Sequence, residues 1–286
     1  MMKPQFRLLV LCPAAMLLVA GCDTKVKQAE KPDPAGIPRF HQAARTGDLA
    51  TVKQLLEAGV SPNMKDADGV TALHRAARDG KLDIMHALLD ASADSNLTTN
   101  TGWTPLQLAV KYNRRDAVEL LLRYNADANA RTPEGFVPLV AAIKDNNSEI
   151  ASLLLADWES WTLDRVEHEN KIVEYQTRMT GMRKPDVNIQ DGDGVTPLWL
   201  AVEQSNYALI NELLDKGADI NQKVKDGKTV LHLSVEKYGE YTVKLLLDRG
   251  ASPIGRDDTG NTPYALAAAR GDQAILKLIW DKGGRP

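Results

Sequence analysis

What most constrains this chain is a repeat. The stretch DGVTALHRAARDGKLDIMHALLDASADSN (68–96) and the stretch DGVTPLWLAVEQSNYALINELLDKGADIN (193–221) are two copies of one pattern. Aligned on the glycine before each T-x-L or its equivalent, copies fall at Gly69, Gly102, Gly135, Gly194, Gly227 and Gly260. The steps are 33, 33, 59, 33 and 33, and 59 is 33 plus 26. A further copy leads the series, with Phe40 lying 33 residues before Leu73. A unit this short cannot bury its own apolar face, so the copies must stack on one another, each touching mainly its neighbours.

Each unit has a physical reading. The glycine permits a turn conformation that a Cβ disfavours. Thr then caps a helix whose first turn begins with Pro, as in Thr104-Pro105, Thr196-Pro197 and Thr262-Pro263. Small residues follow, Ala76-Ala77 or Ala267-Ala268, where neighbouring units approach closely. A second helix carries a Leu-Leu pair, from Leu55-Leu56 to Leu246-Leu247, and stops at sequences such as Lys216-Gly217-Ala218-Asp219.

These T-P-L-H-like and G-A-D-x-N-like boxes on a common period resemble the ankyrin repeat, over roughly residues 37 to 284. The resemblance implies an all-α chain, a solenoid of about seven helix-turn-helix repeats with short hairpin loops and one helical insertion. The first repeat departs from the pattern: it has Pro38-Arg39 in place of Thr-Pro, and Arg39 and His41 are expected to make it a more polar cap. The insertion, residues 158–183 in the fourth repeat, reads WESWTLDRVEHENKIVEYQTRMTGMR. Its Asp164 start and Gly181 stop predict a helix, with His168, Ile172, Tyr175, Met179 and Met182 on one stripe. That stripe either packs on the repeats or meets a partner. The chain must then return to Asp186-Val187-Asn188 to resume the array.

The N-terminus carries a different signal. Lys3 and Arg7 precede an apolar run from Leu8 to Ala20, interrupted only by Cys12 and Pro13. About thirteen apolar residues are too few for a membrane-spanning helix, which needs roughly 20, and they match a secretory signal peptide. Val19-Ala20-Gly21-Cys22 resembles the lipobox of bacterial lipoproteins, in which Cys22 would be lipidated and become the new N-terminus. An ordinary signal peptide with an incidental cysteine is the alternative. Asp23 resembles the enterobacterial signal for retention in the inner membrane, with the outer membrane as the other destination. The expected organisation is a lipoprotein signal peptide at 1–21, a flexible tether at 22–36 and the repeat domain at 37–286. Three prolines and six charges between 23 and 38 support the tether.

Composition removes other classes. Only Cys12 and Cys22 are present, so the mature chain would have no disulfide, thiol nucleophile or cysteine metal ligand. A net charge of −3 and the periplasmic address argue against nucleic acid. His41, His74 and His232 share one repeat phase, which favours a structural bond to a neighbouring loop over catalysis. The DADG and DGDG turns fail as calcium loops: an EF-hand frame puts Met64 or Ile189 at position one and Arg75 or Leu200 at position twelve. Nothing marks the chain as an enzyme, and no cofactor is expected.

Ankyrin proteins use hairpin tips and the inner helix as a concave contact face. At those phases stand Trp103, Lys111, Tyr112, Phe136, Lys144, Asp145, Glu203, Lys225, Asp226 and Lys228, with Arg78, Asp79, Gln204, Glu236 and Lys237 beside them. Trp103, Tyr112 and Phe136 cluster in a chain that is 5% aromatic, which suits interface anchors. Trp103 also resembles the family's G-W-T-P-L variant, a scaffold reading. The expected partner is a protein, with a monomer in its absence. Ankyrin lipoproteins of this kind resemble immunity proteins that bind secreted antibacterial lipase effectors, so a periplasm-acting phospholipase is the candidate. A periplasmic scaffold, resembling ankyrin proteins linked to peroxide defence, is the other reading.

Overall fold

In a computed structural model, residues 36–156 and 184–285 are described, and they form fourteen α-helices in seven pairs with no strand. The signal peptide, Cys22, the tether up to residue 35 and the insertion at 158–183 lie outside the described residues. The pairs are α1 (Gly36–Thr46) and α2 (Leu49–Glu57), α3 (Ala72–Asp79) and α4 (Leu82–Asp90), and α5 (Pro105–Lys111) and α6 (Arg115–Arg123). They continue as α7 (Pro138–Lys144) and α8 (Ser148–Leu155), and α9 (Pro197–Glu203) and α10 (Tyr207–Asp215). The last are α11 (Val230–Lys237) and α12 (Glu240–Asp248), then α13 (Pro263–Arg270) and α14 (Gln273–Asp281). The architecture is an all-α ankyrin-type solenoid: inner helices α1, α3, α5, α7, α9, α11 and α13 pack in succession, and outer helices pack behind them.

Local sequence makes each pair. Thr104, Thr196 and Thr262 cap α5, α9 and α13 through their hydroxyls, ahead of a Pro in the first turn. The fourth repeat has Val137 at this place and no side-chain cap. Ala76 and Ala77 are fully buried where α3 meets its neighbours, as their size requires. Ala268 is exposed instead, because among the described residues no further repeat covers α13. The leucine pairs of the outer helices and their neighbours fill one continuous apolar core, from Phe40 to Ile279. Gly69 shows why the turn glycine is needed. Its φ is +75°, and a Cβ there would lie 2.7 Å from the backbone nitrogen of Asn100 in the next hairpin.

Two ladders tie the repeats together. The asparagine closing one repeat accepts a backbone N–H from the next: Asn63 from Asp94 at 2.8 Å, Asn96 from Asp127 at 2.7 Å, and Asn129 from Asp186 at 2.8 Å. Asn188 accepts from Asp219 and Asn221 from Ser252, both at 2.7 Å. Asn129 also donates to the Lys184 carbonyl at 3.0 Å, so the array resumes in register on the far side of the insertion. Ile254 stands where the next asparagine would be, and it is exposed.

The second ladder uses the recurrent histidines. His74 is fully buried; its Nδ1 accepts the Thr71 N–H at 3.2 Å, and its Nε2–H donates to the Trp103 carbonyl at 3.0 Å. His232 repeats this with Thr229 and Asn261, and His41 bonds the Met64 carbonyl. His41 is thus a buried clamp rather than part of a polar cap, since its ring has the same loop to satisfy as the other two. In the third repeat Gln107 does the same work: its Oε1 accepts the Thr104 N–H at 2.9 Å and its Nε2 donates to the Ala130 carbonyl at 2.9 Å. The bonds to the loops fulfil the structural expectation for these histidines. The DADG and DGDG turns are likewise held from within, Asp66 and Asp191 each accepting two backbone N–H groups at 2.9–3.0 Å.

Burial lowers the pKa of His41, His74 and His232, that of His74 to about 4. The unfolded chain takes up the His74 proton as pH falls through 6.5, whereas the folded chain does so only near 4. Stability present above pH 6.5 is therefore lost on the way down to about 4, by roughly 3 kcal/mol for this one group. Gln107 shows that an amide fills the same clamp without a titrating group. Thermal melts at pH 7 and pH 4.5 should accordingly show His74→Gln near wild-type stability at pH 7 and a smaller acid-induced drop. An unchanged drop would remove His74 as its source.

Candidate functional site

The hairpins and inner helices present one face built from residues at matching phases of successive repeats. In the third and fourth repeats the chain places Trp103 and Phe136 one residue before the helix caps Thr104 and Val137. Their rings lie against each other at a tilt of 46°, with centroids 4.7 Å apart. Lys111, at the end of α5, lies with Nζ 4.5 Å from the Trp103 ring centroid, a cation–π contact. Tyr112 follows it and is 46% exposed. These four predicted residues come together. Trp103 and Phe136 are half-buried, and Phe136 packs against the core, so scaffold and surface roles coincide in them.

The structural clamps aim this cluster. The Trp103 carbonyl is held by His74 Nε2, and the Phe136 carbonyl receives Gln107 Nε2 at 3.5 Å. Beside Trp103 a cavity of about 410 Å³ opens between the second and third repeats, walled by Arg75, Arg78, Thr99, Trp103, Leu108 and Tyr112, among others. Arg75 donates to Asp66 at 2.6 Å through one terminal nitrogen, while its buried Nε has no hydrogen-bond partner. Arg78 pairs with Asp79 at 2.8 Å, which raises the guanidinium pKa and lowers that of the carboxyl.

The remaining predicted residues are spread along the same face. Lys144 bonds Asp191 at 2.6 Å, which raises the ammonium pKa. Burial raises the pKa of Asp191, but the Lys144 bond and the Val195 and Asp193 amides outweigh it and leave the carboxyl below its usual range. Asp145 caps the end of α7 through its backbone. Glu203 pairs with Lys237 at 3.4 Å, and Lys228 with Glu236 at 2.7 Å. Lys225 and Asp226 are exposed on a 3-10 turn, Lys225–Gly227, in the sixth repeat, where Asp226 has a φ of +64°. They share the face with the aromatic cluster without joining it. Gln204, beside them in phase, donates to the Ile143 carbonyl at 2.5 Å and is a tie between repeats.

Arg75 is the residue that sequence reasoning missed. A signal existed: its phase holds Leu108, Leu200, Leu233 and Leu266 in other repeats, so a charge there breaks an apolar row. Chemically, the face offers aromatic surface, guanidinium and ammonium donors and a small cavity. Among the described residues no group of three or more His, Cys, Asp or Glu could hold a metal ion.

A family model described as ankyrin repeats in three copies matches residues 40–132, 127–254 and 210–286. Among solved structures, the human ASB11 ankyrin repeat domain is 25% identical, with 86% of this chain and 98% of that chain covered and a TM-score of 0.54. The ankyrin repeat domain of Bcl-3, described as a unique member of the IkappaB protein family, is 22% identical. It covers 85% of this chain and 97% of that chain at a TM-score of 0.63. No curated protein matches the sequence.

Because Trp103 is wedged between Phe136 and Lys111 whereas Tyr112 stands free on the surface, their truncations should separate. Tyr112→Ala should leave the melting temperature nearly unchanged and weaken partner binding by about 2 kcal/mol. Trp103→Ala should lower both stability and affinity, stability by about 2 kcal/mol for a half-buried ring. Circular dichroism melts alongside a binding titration test this. Full affinity in Tyr112→Ala would remove the cluster from the interface.

Proposed function

The chain belongs to the ankyrin-repeat family, and on that premise we propose that it acts as a membrane-tethered immunity protein in the periplasm. In this reading its ankyrin array, a protein–protein interaction module, binds and neutralises a secreted antibacterial effector of the lipase class. The observation that carries the proposal is a pairing of features in one chain. Val19-Ala20-Gly21-Cys22 resembles a lipobox, and the array behind it displays a preassembled binding cluster at Trp103, Lys111, Tyr112 and Phe136. A diacylglycerol on Cys22 would hold such a binder stably, because each buried methylene contributes about 0.8 kcal/mol. The thirteen residues from 23 to 35, ahead of α1, would reach roughly 45 Å at most, keeping the binding face near the membrane that a lipase attacks.

Two experiments test the two halves. Cys22→Ser should leave an unprocessed or soluble protein. If that variant still sediments with membranes after a high-salt wash, the anchor is wrong. Pull-down of the chain with the products of its chromosomal neighbours should retain a phospholipase and inhibit it. Retention of a resident periplasmic protein instead would favour the scaffold reading, and an uninhibited lipase would exclude immunity.

A further inference from the structure

One phase of the inner helices carries a charge pattern of one sign through four successive repeats. Nine residues after each turn glycine stand Arg78, Lys111 and Lys144, and the same phase of the first repeat holds Arg45. Beyond the insertion the sign reverses, with Glu203 and Glu236 at this place. Four successive repeats thus present a row of cations along the face that bears Trp103 and Phe136. Among the described residues Arg45 and Lys111 make no ion pair; Arg45 bonds Gln42 and Lys111 lies over Trp103. Arg78 and Lys144 are partly neutralised by Asp79 and Asp191. Glu203 and Glu236, in contrast, are each matched by a lysine.

We propose that the first four repeats recognise an extended acidic segment of the partner protein, with a carboxylate at every third residue. This rests on the interaction reading above and gives the partner a chemistry. Helices packed side by side lie roughly 10 Å apart, so the row repeats at about that interval. A polyproline II chain has 3 residues per turn and rises about 3.1 Å per residue, so every third side chain shares one face about 9 Å apart. Its period therefore matches the row. The cavity between the second and third repeats supplies the specific seat. Arg75 and Arg78 line it together with Trp103 and Tyr112, so guanidinium and aromatic groups face whatever enters.

A protein segment fits better than a nucleic acid. The hairpin tips of the same face carry exposed Asp68, Glu134, Asp193 and Asp226, which repel a continuous phosphate chain but leave a narrow strip of spaced carboxylates in the cation row. Single-strand phosphates also come far more often than once per repeat.

The test uses the purified full chain and fluorescein-labelled peptides in anisotropy titrations. One peptide has Glu at every third position, a second the same composition in scrambled order, and a third Gln for every Glu. A helical peptide with Glu at every seventh position and an oligothymidylate complete the set. The third-residue peptide should bind about tenfold more tightly than the scrambled one at about 50 mM salt, and weaken as salt rises. Lys111→Glu and Arg45→Glu should each weaken it about tenfold at unchanged melting temperature, whereas Glu203→Gln should not. Equal binding of the scrambled or Gln peptides overturns the proposal, as does tighter binding of the helical peptide or the oligonucleotide. If a partner is captured normally by Lys111→Glu and is not displaced by the peptide, this inference fails while the interaction reading stands. If the peptide binds in register but no lipase is captured, the inference stands and the immunity reading fails.

Discussion

In five successive loops of this array a backbone N–H finds its acceptor only in the preceding repeat, and the rest of the structure follows from those bonds. An asparagine side chain of the preceding repeat accepts each of these N–H groups, from Asn63 with Asp94 to Asn221 with Ser252. A buried or half-buried amide left unpaired is destabilising, so each rung both requires and positions the next repeat. That explains how an insertion of 26 residues is tolerated in the fourth repeat. Asn129 bonds Asp186 and Lys184 as if the two were adjacent, because the rung depends on the position of the loop and not on the length of chain before it.

A second set of bonds turns this scaffold into a binding face. His74, Gln107 and His232 each bridge a helix cap to the following hairpin, and His41 bonds the following hairpin as well. Two of them end on the carbonyls of Trp103 and Phe136, so the residues that stiffen the array also set the aromatic pair in place. The fourth and fifth repeats, on either side of the insertion, have Val140 and Trp199 at this phase and lack the clamp. There the Lys144–Asp191 pair and the Gly192 amide on the Gly135 carbonyl link neighbouring hairpins instead. Rigidity supplied in advance reduces the ordering lost on association, which suits a surface meant to bind a protein.

Much of this was legible in the amino-acid order. The period of 33, the Thr-Pro starts, the leucine pairs and the glycine stops specify seven helix pairs because capping, turn formation and apolar periodicity are local. The structural job of the phase-matched histidines was readable for the same reason: recurrence at the repeat period is itself a spatial statement. Even the misread His41 shows the rule. Its polar character suggested exposure, yet its phase placed it in the buried clamp, and phase decided. Ala268 errs the other way, since a residue buried in one repeat by its successor is open where no successor covers it.

By itself, then, the sequence determined the elements, their number and their order, because those depend on interactions within about one repeat. Only the tertiary structure decided what each charged or aromatic residue of the face does. Lys144 turned out to be paired with Asp191 of the next hairpin, Trp103 to lie tilted against Phe136 beneath Lys111, and Arg75 to carry a donor without an acceptor beside a cavity. Whether a side chain is satisfied or free depends on atoms from the neighbouring repeat a few ångströms away. Those distances arise only when the repeats are stacked.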